Sequence, residues 1–399
     1  MIVHIHKGLP IGEFKAPASK SYSHRYLIAA GLAKDSRVSN LIFSKDILAS
    51  LSCLEALGCS YLKKDSSVFF ENADKVIQDP VFDCKESGST LRFFLPLALS
   101  KYSHCTFIGS ERLMERGVSV YQDLFKDVTF TYQKGSLILD GKIHSGRYEV
   151  VGNISSQYIT GLLFTLPLLE GDSEIVLTTP LESKNYIDIT LDVLSQFGIE
   201  IERKENGFYI QGNQTYQKKN VEVEGDCSNA AFLEAFSYLG AKTCVTGIVP
   251  TSLQGDKVYQ EYFKQLAIGK AKLDISDCID LGPVLFSFAS LFHGGIFTGT
   301  RRLRIKESDR GEVMKEELEK AGAKVLIEEN SIVVYPSHKN LSSLTFSSHN
   351  DHRIAMALSL YATVCDITII QAEAVEKSFP DYFEQLSSHA MEVEYEDCL

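Results

Sequence analysis

Residues 191–201 read LDVLSQFGIEI, a helical pattern that stops at Gly198 and passes into the alternation of a strand. The same helix–turn–strand reading recurs at 54–62 (LEALGCSYL), 121–132 (YQDLFKDVTFTY), 262–275 (YFKQLAIGKAKLDI), 318–327 (LEKAGAKVLI) and 382–395 (YFEQLSSHAMEVEY). In the three clearest copies, Gly58, Gly198 and Gly322 stand where a helix ends in a left-handed residue, with an apolar strand following. Successive copies lie roughly 55–70 residues apart, longer than a solenoid repeat and long enough for a whole β/α unit. Six units without a low-complexity linker predict an α/β fold of two domains, three units each. The candidate boundaries lie near Gly12–Phe14 and Gly225–Asp226. Residues 13–225 would form the first domain, and 1–12 with 226–399 the second. A chain that crosses between domains twice is expected to carry its ligand in the cleft between them.

Composition narrows the function. Hydrophobic residues make up 44% of the 399 and charged residues 23%, as in soluble globular proteins. No apolar run is long enough to span a bilayer, and no basic-then-apolar signal opens the chain. The nine cysteines are scattered, odd in number and never spaced C-x-x-C. That argues against a disulfide framework or a zinc site and for the reducing cytoplasm. A formal net charge of −12 argues against nucleic-acid binding. Basic residues nevertheless recur in tight groups beside Ser, Thr and Gly, which suggests a small anionic ligand.

The first group is Ala16-Pro-Ala-Ser-Lys-Ser-Tyr-Ser-His-Arg25, where a helix is expected to begin near Ser19–Ser21. Lys20 then sits at the helix mouth, and Ser21 and Arg25 share a face. Helix starts attract anions, although each such start taken alone reads equally well as a capped surface helix. Lys85-Glu-Ser-Gly-Ser-Thr-Leu-Arg92, Ser155-Ser-Gln157 and Ser183-Lys-Asn-Tyr186 repeat the pattern. Arg112 and Arg116 fall in a segment that reads as a charged loop. No P-loop or dinucleotide fingerprint occurs, so neither ATP nor NAD is indicated.

The second half contributes charge. Asp280 precedes an apolar segment and could cap a helix or serve as a base. Lys306-Glu-Ser-Asp-Arg310 follows the strand-like 295–305. If it forms a first helical turn, Glu307 lies beside Arg310, and an acid flanked by two cations can be tuned for proton transfer. Asn350-Asp-His-Arg353 and Lys377-Ser-Phe-Pro-Asp-Tyr382 each place a cation at the start of a further helix.

Taken in order, these segments resemble the 5-enolpyruvylshikimate-3-phosphate synthases over nearly the whole chain. The match runs from Ala16–Arg25 through Ser155–Gln157, Ser183–Thr190, Gly225–Asp226, Ile305–Arg310 and Asn350–Arg353 to Lys377–Gln385. The resemblance implies two domains of three β/α units, the inside-out α/β barrel of the enolpyruvyl transferases. It implies transfer of the enolpyruvyl group of phosphoenolpyruvate to the 5-hydroxyl of shikimate 3-phosphate, by addition and elimination, without metal or organic cofactor. A cytoplasmic monomer is expected.

By the same resemblance, Ser21, Arg25, Ser155, Ser156, Ser183, Tyr186 and Lys306 would hold shikimate 3-phosphate. Gly88, Arg112, Arg310, Arg353 and Lys377 would hold phosphoenolpyruvate, with Lys20 and Gln157 touching both. Asp280 would be the base at the 5-hydroxyl and Glu307 the proton shuttle at C3, with Lys20 and Lys377 assisting. The chain departs from the pattern at Glu86-Ser-Gly-Ser89, where Asn-Ala-Gly-Thr is usual, and at Arg302, often Asn. The segment between Gly225 and Asp280 is short, so part of the second domain is expected to be trimmed. The related UDP-N-acetylglucosamine enolpyruvyl transferases carry Cys or Asp in a mobile Gly-rich loop. Here Cys105 lies in a strand-like run, 104–108. A catalytically dead anion-binding homologue would lack a proton-transfer residue, and both Asp280 and Glu307 are present.

Overall fold

The computed structural model describes residues 1–338 and 341–396; Cys398 lies outside them. The repeating element is clearest at residues 81–140. Strand Val81–Asp83 leads through helix Gly88–Lys101 to strand His104–Ile108, which lies parallel to the first. Parallel neighbours require such a crossover, and the helix supplies it. Two short helices, Glu111–Arg116 and Ser119–Leu124, then lead to the hairpin Thr129–Gln133/Ser136–Asp140. The last strand pairs antiparallel with His104–Ile108, giving the spatial order first, second, fourth, third.

Residues 147–210 repeat this order with helices Ser156–Thr165 and Lys184–Gln196. A third copy starts with helix Lys20–Ala33, and the late strand Asn220–Glu222 supplies its first strand, parallel to Arg37–Ser39. These three copies form one compact unit, Ala18–Glu224, around its own apolar core. The helix-ending glycines act as their pattern implies. At the end of Lys184–Gln196, Gly198 (φ 77°) donates to the Ser195 carbonyl and Ile199 to that of Leu194. This is the paired closure of a left-handed cap.

The other unit comprises Met1–Pro17 and Gly225–Leu399 and has a separate core. One complete copy pairs strands 271–274, 295–298, 331–334 and 325–327; another pairs 344–347, 367–370, 2–5 and 393–396. The remaining copy is reduced to strands Ile11–Lys15 and Lys242–Thr246, parallel to each other, with helix Cys227–Tyr238 packed on Lys242–Thr246. The copy read at 262–275 therefore differs from the rest. Helix Tyr259–Ile268 runs straight into Ala271–Asp274, which is the first strand of the next copy and not one arm of a hairpin. The short 226–280 segment has lost that hairpin.

Three local expectations are corrected. The strand read at 295–305 ends at Thr298, and Arg301–Ile305 is a 3₁₀ turn containing the buried Arg302. Residues 306–309 are not helical; the helix is Arg310–Lys320, capped by Asp309. Lys377 closes the 3₁₀ helix Ala372–Lys377 and does not open a helix. Among the described residues, no helix is long and apolar enough to cross a membrane.

Candidate active site

In the unit Ala18–Glu224 each copy opens its first helix behind a serine: Ser19, Ser87 and Ser155, equally spaced along the chain. The three hydroxyls accept from the backbone N–H of Tyr22 (3.5 Å), Thr90 (3.2 Å) and Gln157 (3.3 Å). A neutral cap satisfies one donor and leaves the partial positive charge of the helix end for an anion. A buried chain, His24 Nδ1···Ser50 Oγ (2.7 Å), Ser50 Oγ···Thr90 Oγ1 (2.9 Å) and Thr90 Oγ1–Ser87 Oγ (2.8 Å), ties the first helix to the start of the second. Burial, with Lys20 and Arg25 nearby, holds His24 well below the usual histidine range, so it is neutral.

Arg25 gathers residues from three helices. Its Nε donates to Thr190 Oγ1 (2.8 Å), Nη1 to the Ser21 carbonyl (2.8 Å), and Nη2 to the Tyr186 carbonyl (3.1 Å) and Thr160 Oγ1 (3.5 Å). Burial pulls the guanidinium down to about 10, still charged at neutral pH. Ser183, just ahead of the helix that carries Tyr186, is buried and left-handed (φ 57°). Gln157 links two helix starts: Oε1 accepts from Arg92 Nη1 (2.7 Å) and Nε2 donates to Ser89 Oγ (2.9 Å). Gly88 lacks a side chain where two guanidiniums stand. A Cβ there would lie 2.9 Å from Arg92 Nη1 and 3.1–3.2 Å from the terminal nitrogens of Arg116. Lys20 Nζ donates to Asp46 Oδ2 at 3.1 Å.

The other unit places carboxylates at its helix starts. Asp226 and Asp351 cap helices Cys227–Tyr238 and His352–Leu358, and Asp280 lies in the 3₁₀ turn ahead of Gly282–Leu291. Cations converge on them. Asp280 Oδ1 receives Arg310 Nη1 (2.8 Å) and Lys306 Nζ (3.0 Å), and its Oδ2 receives Arg353 Nη2 (3.2 Å). Arg310, only 1% exposed, also donates to Glu307 Oε2 (2.7 Å) and, through Nε, to Asp351 Oδ2 (2.8 Å). Burial opposes the Asp280 charge, but Arg353, Lys306 and Arg310 outweigh it and hold the carboxyl well below its usual range. Burial lowers Lys306, although Asp280 counters it. Behind this cage, burial and the Asp280 carboxylate push Asp256 up to about 7, against Arg353 and the hydrogen bond from Ser228. Lys377 Nζ donates to the Asn350 carbonyl at 2.5 Å.

A family model for EPSP synthase (3-phosphoshikimate 1-carboxyvinyltransferase) matches residues 10–386. The chain belongs to the EPSP synthase family. The 3-phosphoshikimate 1-carboxyvinyltransferase of Clostridium kluyveri is 39% identical over 409 residues, with 96% of each chain covered. That of Clostridium novyi is 38% identical over 407 residues, with 93% of each covered. The solved structure of EPSP synthase from Acinetobacter baumannii superposes with a TM-score of 0.79 at 22% identity, over 99% of this chain and 100% of that one. The enolpyruvyl transferase NikO from Streptomyces tendae gives 0.75 at 14% identity, over 98% of each chain. At these identities the structural likeness concerns the α/β fold of the enolpyruvyl transferases.

Within this family member, the structure gathers Ser21, Arg25 and Tyr186 around one guanidinium, and Gly88 with Gln157 around Arg92. It gathers Asp280, Lys306, Glu307, Arg310 and Arg353 in one ion cage. The guanidiniums nearest to Gly88 are those of Arg92 and Arg116, not that of Arg112. Residues 111–116 form a helix and not a loop, and Arg112 is half exposed and paired with Glu115 at 3.7 Å. Arg116, which ends that helix, faces Gly88 instead. Sequence reasoning also passed over Arg92, Asp351 and Asp256. Arg92 stands four residues after Gly88, the spacing that singled out Ser21 and Arg25. Asp256 carries no local signal. Cys105 is fully buried in strand His104–Ile108, and burial pushes its thiol up to about 12, which leaves no accessible nucleophile there.

Proposed function

We propose that this chain transfers the enolpyruvyl group of phosphoenolpyruvate to the 5-hydroxyl of shikimate 3-phosphate in the cytoplasm, releasing inorganic phosphate, as a step of aromatic amino acid biosynthesis. The family match across residues 10–386 carries the reading, and the two kinds of charged cluster supply its chemistry. Ser155, Ser156, Ser183, Ser21, Arg25, Tyr186 and Lys306 hold shikimate 3-phosphate. Gly88, Arg310, Arg353 and Lys377 hold phosphoenolpyruvate, with Arg116 taking the part expected of Arg112. Lys20 and Gln157 serve both substrates.

Asp280 takes the proton of the 5-hydroxyl as the oxygen attacks C2 of phosphoenolpyruvate, and Glu307 delivers a proton to C3. Phosphate then leaves with the C–O bond electrons and takes the proton held by Asp280, while Glu307 removes a proton from C3 and the enol ether forms. The three cations on Asp280 make it a weak base in the free protein. Substrate phosphate and carboxylate groups draw Lys306 and Arg353 toward themselves and so raise its basicity when it is needed.

A phosphate-release assay tests the reading. Release is expected only with both phosphoenolpyruvate and shikimate 3-phosphate present. Release with UDP-N-acetylglucosamine in place of shikimate 3-phosphate would assign the chain to the sister activity.

A further inference from the structure

Glu317 lies in helix Arg310–Lys320, two turns beyond the caged Arg310, and its carboxylate is fully buried. Its acceptors are in use. Oε2 takes Lys320 Nζ (2.7 Å) and the backbone N–H of Ser347 (3.0 Å), and Oε1 contacts His349 Nε2 (2.8 Å). Both Ser347 and His349 belong to the segment that leads into the Asp351 cap. His349 (φ 48°) and Asn350 (φ 56°) are consecutive left-handed residues without being glycine. Asn and His enter this region more readily than most side-chain-bearing residues, but as single residues, and two in succession persist only where their surroundings hold them. The turn has two outputs: the Asn350 carbonyl that receives Lys377 Nζ, and the helix start that carries Asp351 and Arg353.

We propose that Glu317 is a positioning residue for the phosphoenolpyruvate cations. Clamping Ser347 and His349, it holds the strained 349–350 turn in the one shape that aims Arg353 and fixes Lys377. The inference rests on the function proposed above for those two cations. Burying a carboxylate here is otherwise costly, and its ion pair with Lys320 alone would not require contacts to a second segment.

Two variants separate positioning from mere packing. Glu317→Ala removes the clamp. His349→Asn keeps a residue that tolerates the left-handed conformation but is too short to reach Glu317. Both should raise KM for phosphoenolpyruvate, on the order of tenfold for Glu317→Ala and less for His349→Asn, with kcat and KM for shikimate 3-phosphate within about threefold. Hydrogen exchange of residues 347–351 should quicken in both, while helix Gly282–Leu291 stays protected. Adding Asn350→Gly, which adopts the turn without strain, should restore part of the loss. Unchanged exchange and KM in His349→Asn, or a loss that Asn350→Gly leaves untouched, would overturn the proposal. An inactive wild type would refute the proposed reaction instead, and the exchange measurement would still test the clamp.

Discussion

Arg112 and Arg116 stand four residues apart in one six-residue helix, yet their surroundings predict opposite consequences when each is removed. Arg112 is half exposed, and its ion pair with Glu115 at 3.7 Å is of the exposed kind that contributes about 0–1 kcal/mol. Arg112→Ala should therefore leave KM for phosphoenolpyruvate within about twofold. Arg116 has both terminal nitrogens within 3.1–3.2 Å of the space above Gly88, beside Arg92 Nη1 and at a helix start. A hydrogen bond to a charged group is worth about 1.5–3 kcal/mol. At about 1.36 kcal/mol per factor of ten, Arg116→Ala should raise KM for phosphoenolpyruvate roughly 10- to 150-fold. Arg116→Lys should recover only part, because an ammonium cannot reproduce the planar fork. The assay is steady-state phosphate release with phosphoenolpyruvate varied at saturating shikimate 3-phosphate. If Arg112→Ala raised KM as much as Arg116→Ala, the assignment would be refuted.

Further outcomes follow from the two clusters. Asp280→Asn or Glu307→Ala should lower kcat about 10²- to 10⁴-fold in the same assay. Asp280→Asn should bind phosphoenolpyruvate at least as tightly, since the cage loses a negative charge, and a kcat within threefold of wild type would remove the base role. Gly88→Ala would press a methyl against Arg92 and Arg116, so KM for phosphoenolpyruvate should rise several-fold with that for shikimate 3-phosphate unchanged. Asp256, at about 7 in the fold against an ordinary 3.8, keeps a proton that the unfolded chain has lost. Its contribution to stability is present below pH 3.8 and is lost as pH rises through 7. The depressed Asp280 acts only below its ordinary range, outside this window. Urea midpoints of the wild type should therefore fall from pH 5 to pH 8 more than those of Asp256→Asn, and equal slopes would exclude Asp256 as the titrating group.

The features legible in the sequence are those whose causes are local. A hydroxyl cap at Ser19, Ser87 or Ser155 reaches only two or three residues along the chain. A helix-ending glycine at 58, 198 or 322 needs only its own positive φ. Residue order alone therefore marked the helix starts, the repeat and the family. Three things depended on contacts far apart in the chain. Residues 262–275 carry the local pattern of a repeat copy, but their strand belongs to the next sheet, because strand partners are chosen across the fold. The spacing that places Arg112 and Arg116 on one face could not say which end of their helix meets Gly88. Asp280, Arg310 and Asp351 lie tens of residues apart, and their charges act on one another only because folding buries them together, where water no longer screens them.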